Sequence, residues 1–153
     1  MQKCTLALGC FWKPEENFKN KPGILETEVG YAGGNSEQTT YEEVCTGKTG
    51  HAEVVRLTFD ENIISFKKIL DLFFKMHDPT TLNRQGPDIG TQYRSEIFCL
   101  DDDQYLIADG IKRNFNKEVY DDKIVTSISM ADNFWIAEEY HQKYVRKKKN
   151  MIF

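Results

Sequence analysis

Segments of strand length alternate along this chain with segments of helical periodicity, and this order constrains the fold more than any other feature. In residues 52–59 the side chains alternate with a period of two, which is typical of a strand with one buried face. Soon after, apolar residues recur at helical spacing through residues 66–74, behind Ser65, a favourable N-cap residue. The chain is therefore expected to pack helices against a sheet.

The remaining segments give a mixed order of elements. Further strands are predicted at residues 4–8, 24–31, 95–100 and 124–130. Further helices are predicted after Pro14, after Thr40, at residues 103–116 and at residues 137–148. This order indicates an α+β fold, a two-layer sandwich or roll in which helices pack on a mainly antiparallel mixed sheet with a ferredoxin-like core. A chain of 153 residues is expected to form a single catalytic domain, residues 1–153.

Charge and apolar run length exclude several classes of protein. The formal net charge of −4 argues against a nucleic-acid partner. The longest apolar stretch, residues 6–12, has seven residues, far short of the ~20 that cross a bilayer. We expect no membrane association, and we expect a monomer.

The four cysteines, at positions 4, 10, 45 and 99, form neither a CxxC pair nor a zinc-ligand spacing. They are too few for a disulfide scaffold in a chain of this length. We therefore expect reduced thiols in a cytoplasmic protein, with no metal site.

Cys10 is the candidate nucleophile, because it occupies the predicted turn from the first strand into the first helix. Unpaired backbone N–H groups and the positive end of the helix dipole meet there, which lowers a thiol pKa from about 8.5 to roughly 3.5–7.5. The alternative is a small buried hydrophobic residue, and this alternative is preferred for Cys4, Cys45 and Cys99.

Phe11 and Trp12 follow Cys10 directly and would form an apolar socket for a methyl or thioether group, although two aromatic residues are often simply core. Glu53 starts the alternation of residues 52–59, which directs its carboxyl group toward the core. Burial would raise the pKa of this group and make it a general acid; equally, it could lie in water beyond the edge of the sheet. His51 is a second acid/base candidate, with a structural hydrogen-bonding role as the more common alternative.

The polar segment at residues 78–93 is unusually long for an irregular connection, and such segments are often functional. It contains Asp88 and Tyr93, which together with Tyr41 are candidates for a donor cluster around a polar substrate atom. A tight loop without a function is the alternative.

Six sequence blocks in this order resemble the A-type peptide methionine sulfoxide reductases. They are GCFW at 9–12, GYAGG at 30–34, TYEEVC at 40–45, GHAE at 50–53, GPDIGTQYRS at 86–95 and YHQKY at 140–144. The resemblance implies a thiol-dependent enzyme on an α+β roll that reduces the S epimer of methionine sulfoxide, free or in proteins, in protein repair under oxidative stress.

The resemblance also implies roles for individual residues. Cys10 would attack the sulfoxide sulfur and be left as a sulfenic acid, with Glu53 as proton donor. Tyr41 and Tyr93 would hydrogen-bond to the sulfoxide oxygen. The substrate-binding residues would be Phe11 and Trp12 at the methyl group, Asp88 at the substrate backbone, and His51.

The C-terminal residues depart from the commoner family pattern, because they contain none of the recycling cysteines that many members carry in a glycine-rich tail. Cys4 is too far along an extended strand from Cys10 for a disulfide, which allows about 7 Å between Cα atoms. A cysteine like Cys45 is common in this family without acting as the resolving thiol. We expect no bound cofactor and an external thiol reductant, glutathione with glutaredoxin, or thioredoxin. Lys13 is a second departure, in place of a glycine often found there.

Two other functions remain as alternatives. In a cysteine amidohydrolase, Cys10 would be the acyl acceptor, with Glu53 as base and His51 nearby. In a non-enzymatic module, the pocket would only bind methionine-containing peptides.

Overall fold

The computed structural model describes residues 1–35 and 37–150. Eight strands are present in this part of the chain: β1 (Gln2–Leu8), β2 (Ile24–Ala32), β3 (Ala52–Phe59), β4 (Arg84–Gln85), β5 (Asp88–Ile89), β6 (Ser95–Cys99), β7 (Ser127–Met130) and β8 (Phe134–Ile136). The five α-helices are α1 (Trp12–Lys19), α2 (Tyr41–Cys45), α3 (Phe66–Met76), α4 (Asp102–Phe115) and α5 (Tyr144–Asn150). None of these helices has the length and apolar character that a bilayer crossing requires.

Six of the strands form one sheet in the order β7-β6-β1-β3-β2-β8. All neighbours are antiparallel except β6 and β7, which run parallel. The four central strands, β6-β1-β3-β2, with α1 after β1 and α3 after β3, have the topology of a ferredoxin-like core. The predicted α+β fold with a mainly antiparallel mixed sheet is therefore confirmed.

Helices cover one face of the sheet, and the main core lies between them and the strands. Period-2 alternation in β3 directs Val55, Leu57 and Phe59 into this layer, where Phe73 of α3 meets them; all four side chains are buried. The α3 helix begins as predicted, because the Ser65 hydroxyl accepts a hydrogen bond from the backbone N–H of Lys68 at 3.0 Å. The opposite face carries a smaller cluster of mostly small side chains.

The C-terminal part differs from the prediction. Residues 137–148 do not form one helix: a single 3₁₀ turn, Glu139–His141, precedes α5. The short edge strand β8 was not predicted. The prediction of one helix was wrong here because contacts with distant parts of the chain hold this segment in another conformation.

The Gln142 side chain is the clearest of these links. Its carbonyl oxygen accepts the Val29 backbone N–H at 2.9 Å, and its NH₂ group donates to the Val29 carbonyl at 2.9 Å. The Glu15 carboxylate accepts the Lys143 backbone N–H at 2.7 Å and the Thr27 hydroxyl at 2.8 Å, and it pairs with the Lys143 ammonium at 3.1 Å. Together these contacts fix the segment between β8 and α5 against β2 and α1.

Candidate active site

Cys10 lies in the turn between β1 and α1, as predicted. Gly9 precedes it with a φ of +95°, and a Cβ there would lie 2.9 Å from the Gln85 side chain, so only glycine permits this close approach of the β4–β5 ribbon. The backbone N–H of Trp12, at the start of α1, hydrogen-bonds to the Cys10 sulfur. The Cys10 side chain is half-buried and reduced.

The Glu53 side chain points into the helix-covered layer and meets Cys10 there. It is 1% exposed, and its Oε1 accepts the Phe11 backbone N–H at 3.3 Å. The Oε2 atom is buried without a hydrogen-bond partner among the described residues. Burial raises the Glu53 pKa to about 7; the Phe11 N–H opposes the shift and the charge of Asp88 adds to it. Glu53 can therefore carry a proton near neutral pH.

The Cys10 thiol does not have the low pKa predicted from its place at a helix start. Burial raises the Cys10 pKa to about 12, although the Trp12 N–H opposes the shift, and the charges of Glu53 and Asp88 raise it further. The prediction considered only the local helix terminus, whereas the fold adds desolvation and two nearby carboxylates. The thiol therefore keeps its proton beside Glu53.

Tyr93, which ends the 3₁₀ turn Thr91–Tyr93, lies beside this pair. Burial raises its pKa to about 12, and the charge of Glu53 adds to the shift, followed by those of Cys45, Asp88 and Cys10. Burial also raises the pKa of Tyr41, and the neighbouring Cys45 and the charge of Glu53 add to the shift. Both tyrosines are thus protonated at neutral pH and available as donors.

Trp12 is held by residues from the C-terminal segment. Its indole N–H donates to His141 Nδ1 at 2.9 Å, and its ring stacks on Tyr144 with centroids 3.9 Å apart. Phe11, by contrast, is only 1% exposed and packs into the core, with its ring 5.8 Å from Tyr31 and 5.2 Å from His141. Trp12 is the more accessible of the two predicted wall residues.

His51 does not join the group. It is 2% exposed and its Nδ1 accepts the Gly34 backbone N–H at 3.1 Å, so its described contacts hold the loop after β2. Gly34 fits there because a Cβ would lie 2.4 Å from the backbone of residues 49 and 51. The structure thus brings together Cys10, Glu53, Tyr41, Tyr93, Asp88 and Trp12, places Phe11 directly behind them, and leaves His51 in the neighbouring loop.

Two further residues shape the site. The Glu138 carboxylate accepts the Tyr31 hydroxyl at 2.8 Å and the Tyr41 backbone N–H at 2.9 Å, and so fixes the start of α2. His141 lies among the rings of Phe11, Trp12 and Tyr41. Local sequence patterns predict neither residue, because their partners lie about a hundred positions away along the chain. The block at 140–144 was the only sequence signal for His141.

A cavity of about 350 Å³ opens beside Cys10, between α1, the end of α3 and the β4–β5 ribbon. Leu8, Pro14 and Met76 supply apolar lining, and Asp88 lies on the ribbon side. Across residues 1–35 and 37–150, no group of three or more His, Cys, Asp or Glu side chains is arranged to hold a metal ion. The site consists of a thiol, a buried carboxyl group, two phenols and an indole next to a small cleft.

The model of the family described as peptide methionine sulfoxide reductase matches residues 2–152. A peptide methionine sulfoxide reductase MsrA from Pelagibacter ubique is 54% identical over 148 residues, which cover 97% of this chain and 100% of that protein.

Solved structures agree. The reduced form of Mxr1 from Saccharomyces cerevisiae has 39% identity and a TM-score of 0.91, covering 97% of this chain and 86% of that chain. Mxr1 in complex with Trx2 has 28% identity and a TM-score of 0.66, covering 94% and 84%. With this match along almost its whole length, the chain belongs to the peptide methionine sulfoxide reductases and is an enzyme that reduces methionine sulfoxide.

Proposed function

We propose that this enzyme reduces the S epimer of methionine sulfoxide, free or in proteins, with Cys10 as nucleophile and Glu53 as proton donor. One observation carries the proposal: the Cys10 thiol lies beside Glu53, a buried carboxyl group with a pKa of about 7 and one oxygen unpartnered among the described residues. A sulfoxide oxygen needs a proton before it can leave sulfur, and this pair supplies both nucleophile and proton.

The reaction conserves atoms and protons within the pair. The thiol proton passes to the neighbouring Glu53, which leaves a Cys10 thiolate beside a neutral carboxyl group. The thiolate attacks the sulfoxide sulfur while Glu53 protonates the oxygen. Transfer of this hydroxyl to Cys10 gives a sulfenic acid and methionine, so the cysteine is oxidised and the substrate sulfur is reduced.

Tyr41 and Tyr93 stabilise the oxygen as its charge develops. Their raised pKa values keep both hydroxyls protonated, so each can donate a hydrogen bond. Trp12 receives the methyl group and Asp88 holds the substrate backbone; the rings of Phe11 and Trp12 both pack on His141. The oxygen, the methyl group and the rest of the substrate each have a fixed binding position, and the thiolate attacks the sulfur from one direction. Only one of the two sulfur configurations fits this arrangement.

An external thiol then reduces the Cys10 sulfenic acid directly. Cys4 and Cys99 are buried on β1 and β6 in the core, and Cys45 is exposed beside Tyr41. Mxr1 has been solved in complex with Trx2, which supports thioredoxin as a partner; glutathione with glutaredoxin is the other donor we propose. No bound cofactor is needed for this chemistry.

We further propose that residues 1–153 act as one catalytic domain, as a monomer in the cytoplasm that repairs oxidised proteins during oxidative stress, without nucleic-acid or membrane partners. The single six-stranded sheet with one main core supports the first point. The net charge of −4 fits a surface without a nucleic-acid site.

Mass spectrometry after one turnover tests the core of the proposal. With the S epimer and no reductant, Cys10 is expected to gain one oxygen atom and one methionine is expected to form per enzyme. The Cys10→Ser variant is expected to form none, and the R epimer is expected to remain unreduced. Methionine formation by Cys10→Ser, or an unmodified Cys10 in the wild type, would contradict the mechanism.

The proposed reductant is tested with the triple variant Cys4→Ser, Cys45→Ser, Cys99→Ser. Direct reduction of Cys10 predicts steady-state turnover with a small dithiol close to that of the wild type. Loss of turnover with an intact first turnover would show that one of the other three thiols is required.

A further inference from the structure

The cavity beside Cys10 presents one positive and one negative side chain, Lys13 from α1 and Asp88 from β5. Neither forms an ion pair within the described part of the chain, although both line the same small space. Apart from Cys10, one more titratable side chain lines this cavity, His77. It is neutral at pH 7 because burial lowers its pKa to about 4. The cleft thus offers two separate, opposite charges to a ligand.

The size of the cavity matches the part of the substrate that must enter it. The sulfoxide sulfur has to approach Cys10 to about 3–3.5 Å for attack. Three bonds separate this sulfur from the α-carbon, a distance of about 4 Å, which puts the amino-acid head group within reach of the cavity. At about 350 Å³ the cavity is at the lower end of the range for small-molecule sites.

We propose that Lys13 favours free methionine sulfoxide as substrate by binding its α-carboxylate, while Asp88 accepts the α-ammonium. This inference rests on the proposed function and names a substrate class for the same site. A free amino acid carries both charges, whereas a methionine sulfoxide inside a protein carries neither at these positions. Lys13 is an exposed side chain at the mouth of the cleft, so its contribution is modest and sensitive to salt.

Four substrates separate the two charges. They are free L-methionine S-sulfoxide, its N-acetyl derivative, its C-terminal methylamide and the derivative blocked at both ends. The first two carry the carboxylate and the last two do not. Lys13→Gln is expected to lower kcat/KM about 2- to 5-fold for the two substrates with a carboxylate, the range of an exposed ion pair. The other two substrates are expected to be unaffected.

Lys19→Gln is the matched control, since it removes the same charge from the far end of α1, where Lys19 borders a different cavity. It is expected to leave kcat/KM for all four substrates unchanged, and high salt is expected to reduce the effect of Lys13→Gln. An equal loss for all four substrates, or no loss for any, would overturn the role of Lys13. Failure of the wild-type enzyme to reduce any of the four substrates would instead overturn the proposed function.

Discussion

Glu15 and Glu53 are equally buried, each 1% exposed, but their surroundings are opposite. The Glu15 carboxylate accepts three hydrogen bonds, one of them from the Lys143 ammonium. Glu53 has one long hydrogen bond from a backbone N–H, a thiol neighbour and an unpartnered oxygen within the described residues. A buried carboxylate with a full set of hydrogen-bond partners acts as a structural anchor. A buried carboxyl group with few hydrogen-bond partners is free to exchange a proton. The same residue type therefore serves two purposes, according to what surrounds it.

The largest expected effect is on catalysis at Glu53. Glu53→Gln removes the proton relay and is expected to slow single-turnover reduction about 10²- to 10⁴-fold. In the wild type, the active form of the Cys10–Glu53 pair holds a single proton. This form appears as pH rises through about 7, so kcat/KM is expected to rise with pH and then level off. In Glu53→Gln the rise is expected at higher pH, because the thiol must lose its proton to solvent. A near-normal rate with an unchanged pH profile would refute the role of Glu53.

The next effect concerns stability at Glu15. Glu15→Ala leaves the Lys143 ammonium and the Thr27 hydroxyl without their buried partner, and is expected to lower the free energy of unfolding by about 3–5 kcal/mol. Urea denaturation measures this change. Asp71→Ala in α3 is the control, because Asp71 pairs with the exposed Lys75 and Lys68 at 3.0 and 3.7 Å and its loss is expected to cost less than about 1 kcal/mol. Equal losses at both positions would mean that Glu15 contributes no more than an exposed ion pair and is not an anchor.

A third effect is the pH dependence of stability caused by Glu53. Its pKa in the folded state, about 7, lies above the ordinary value of 4.5, so the folded protein binds more protons between these pH values than the unfolded chain. Stability is therefore expected to fall as pH rises from 4.5 to about 7, by about 3 kcal/mol in total, and to level off above that. The difference between wild type and Glu53→Gln, measured by urea denaturation across this range, isolates the contribution. A constant difference would show that Glu53 titrates normally.

The smallest effect tests one bond of the anchor. Thr27→Val removes the hydroxyl that donates to Glu15 at 2.8 Å and is expected to cost about 1 kcal/mol. Thr58→Val, on the neighbouring strand β3, lacks such a bond among the described residues and is expected to change little. A loss at Thr58 as large as that at Thr27 would mean that the hydroxyl bond to Glu15 contributes nothing specific.

Local patterns predicted the parts of the fold and site that depend on local interactions. The alternation in residues 52–59 gave the exact bounds of β3 and the inward direction of Glu53, and Ser65 with helical spacing gave α3. The turn that carries Cys10 also followed from neighbouring residues. These features need only hydrophobic periodicity and capping.

Other features depend on contacts between distant residues, which leave no local signal. Lys143 lies 128 positions from Glu15, and Gln142 lies 113 from Val29, so the clamp on the C-terminal segment was invisible in the sequence. Three residues are too few for the period of β8 to show. The raised pKa of Cys10 arises in the same way, because burial and the carboxylates of Glu53 and Asp88 come from other elements.

The Gln142 side chain has a consequence for the solubility of the protein. Strand β8 pairs with β2 from Gly30 to Ala32 and the Ala137 N–H donates to the Val29 carbonyl at 2.9 Å, which would leave the Val29 N–H open to another chain. The Gln142 amide satisfies both polar groups of Val29, and the Lys143 ammonium donates to the carbonyl of Thr27. Side chains thus act as a substitute strand along this stretch, and they deny a second molecule the template for intermolecular β-pairing and aggregation.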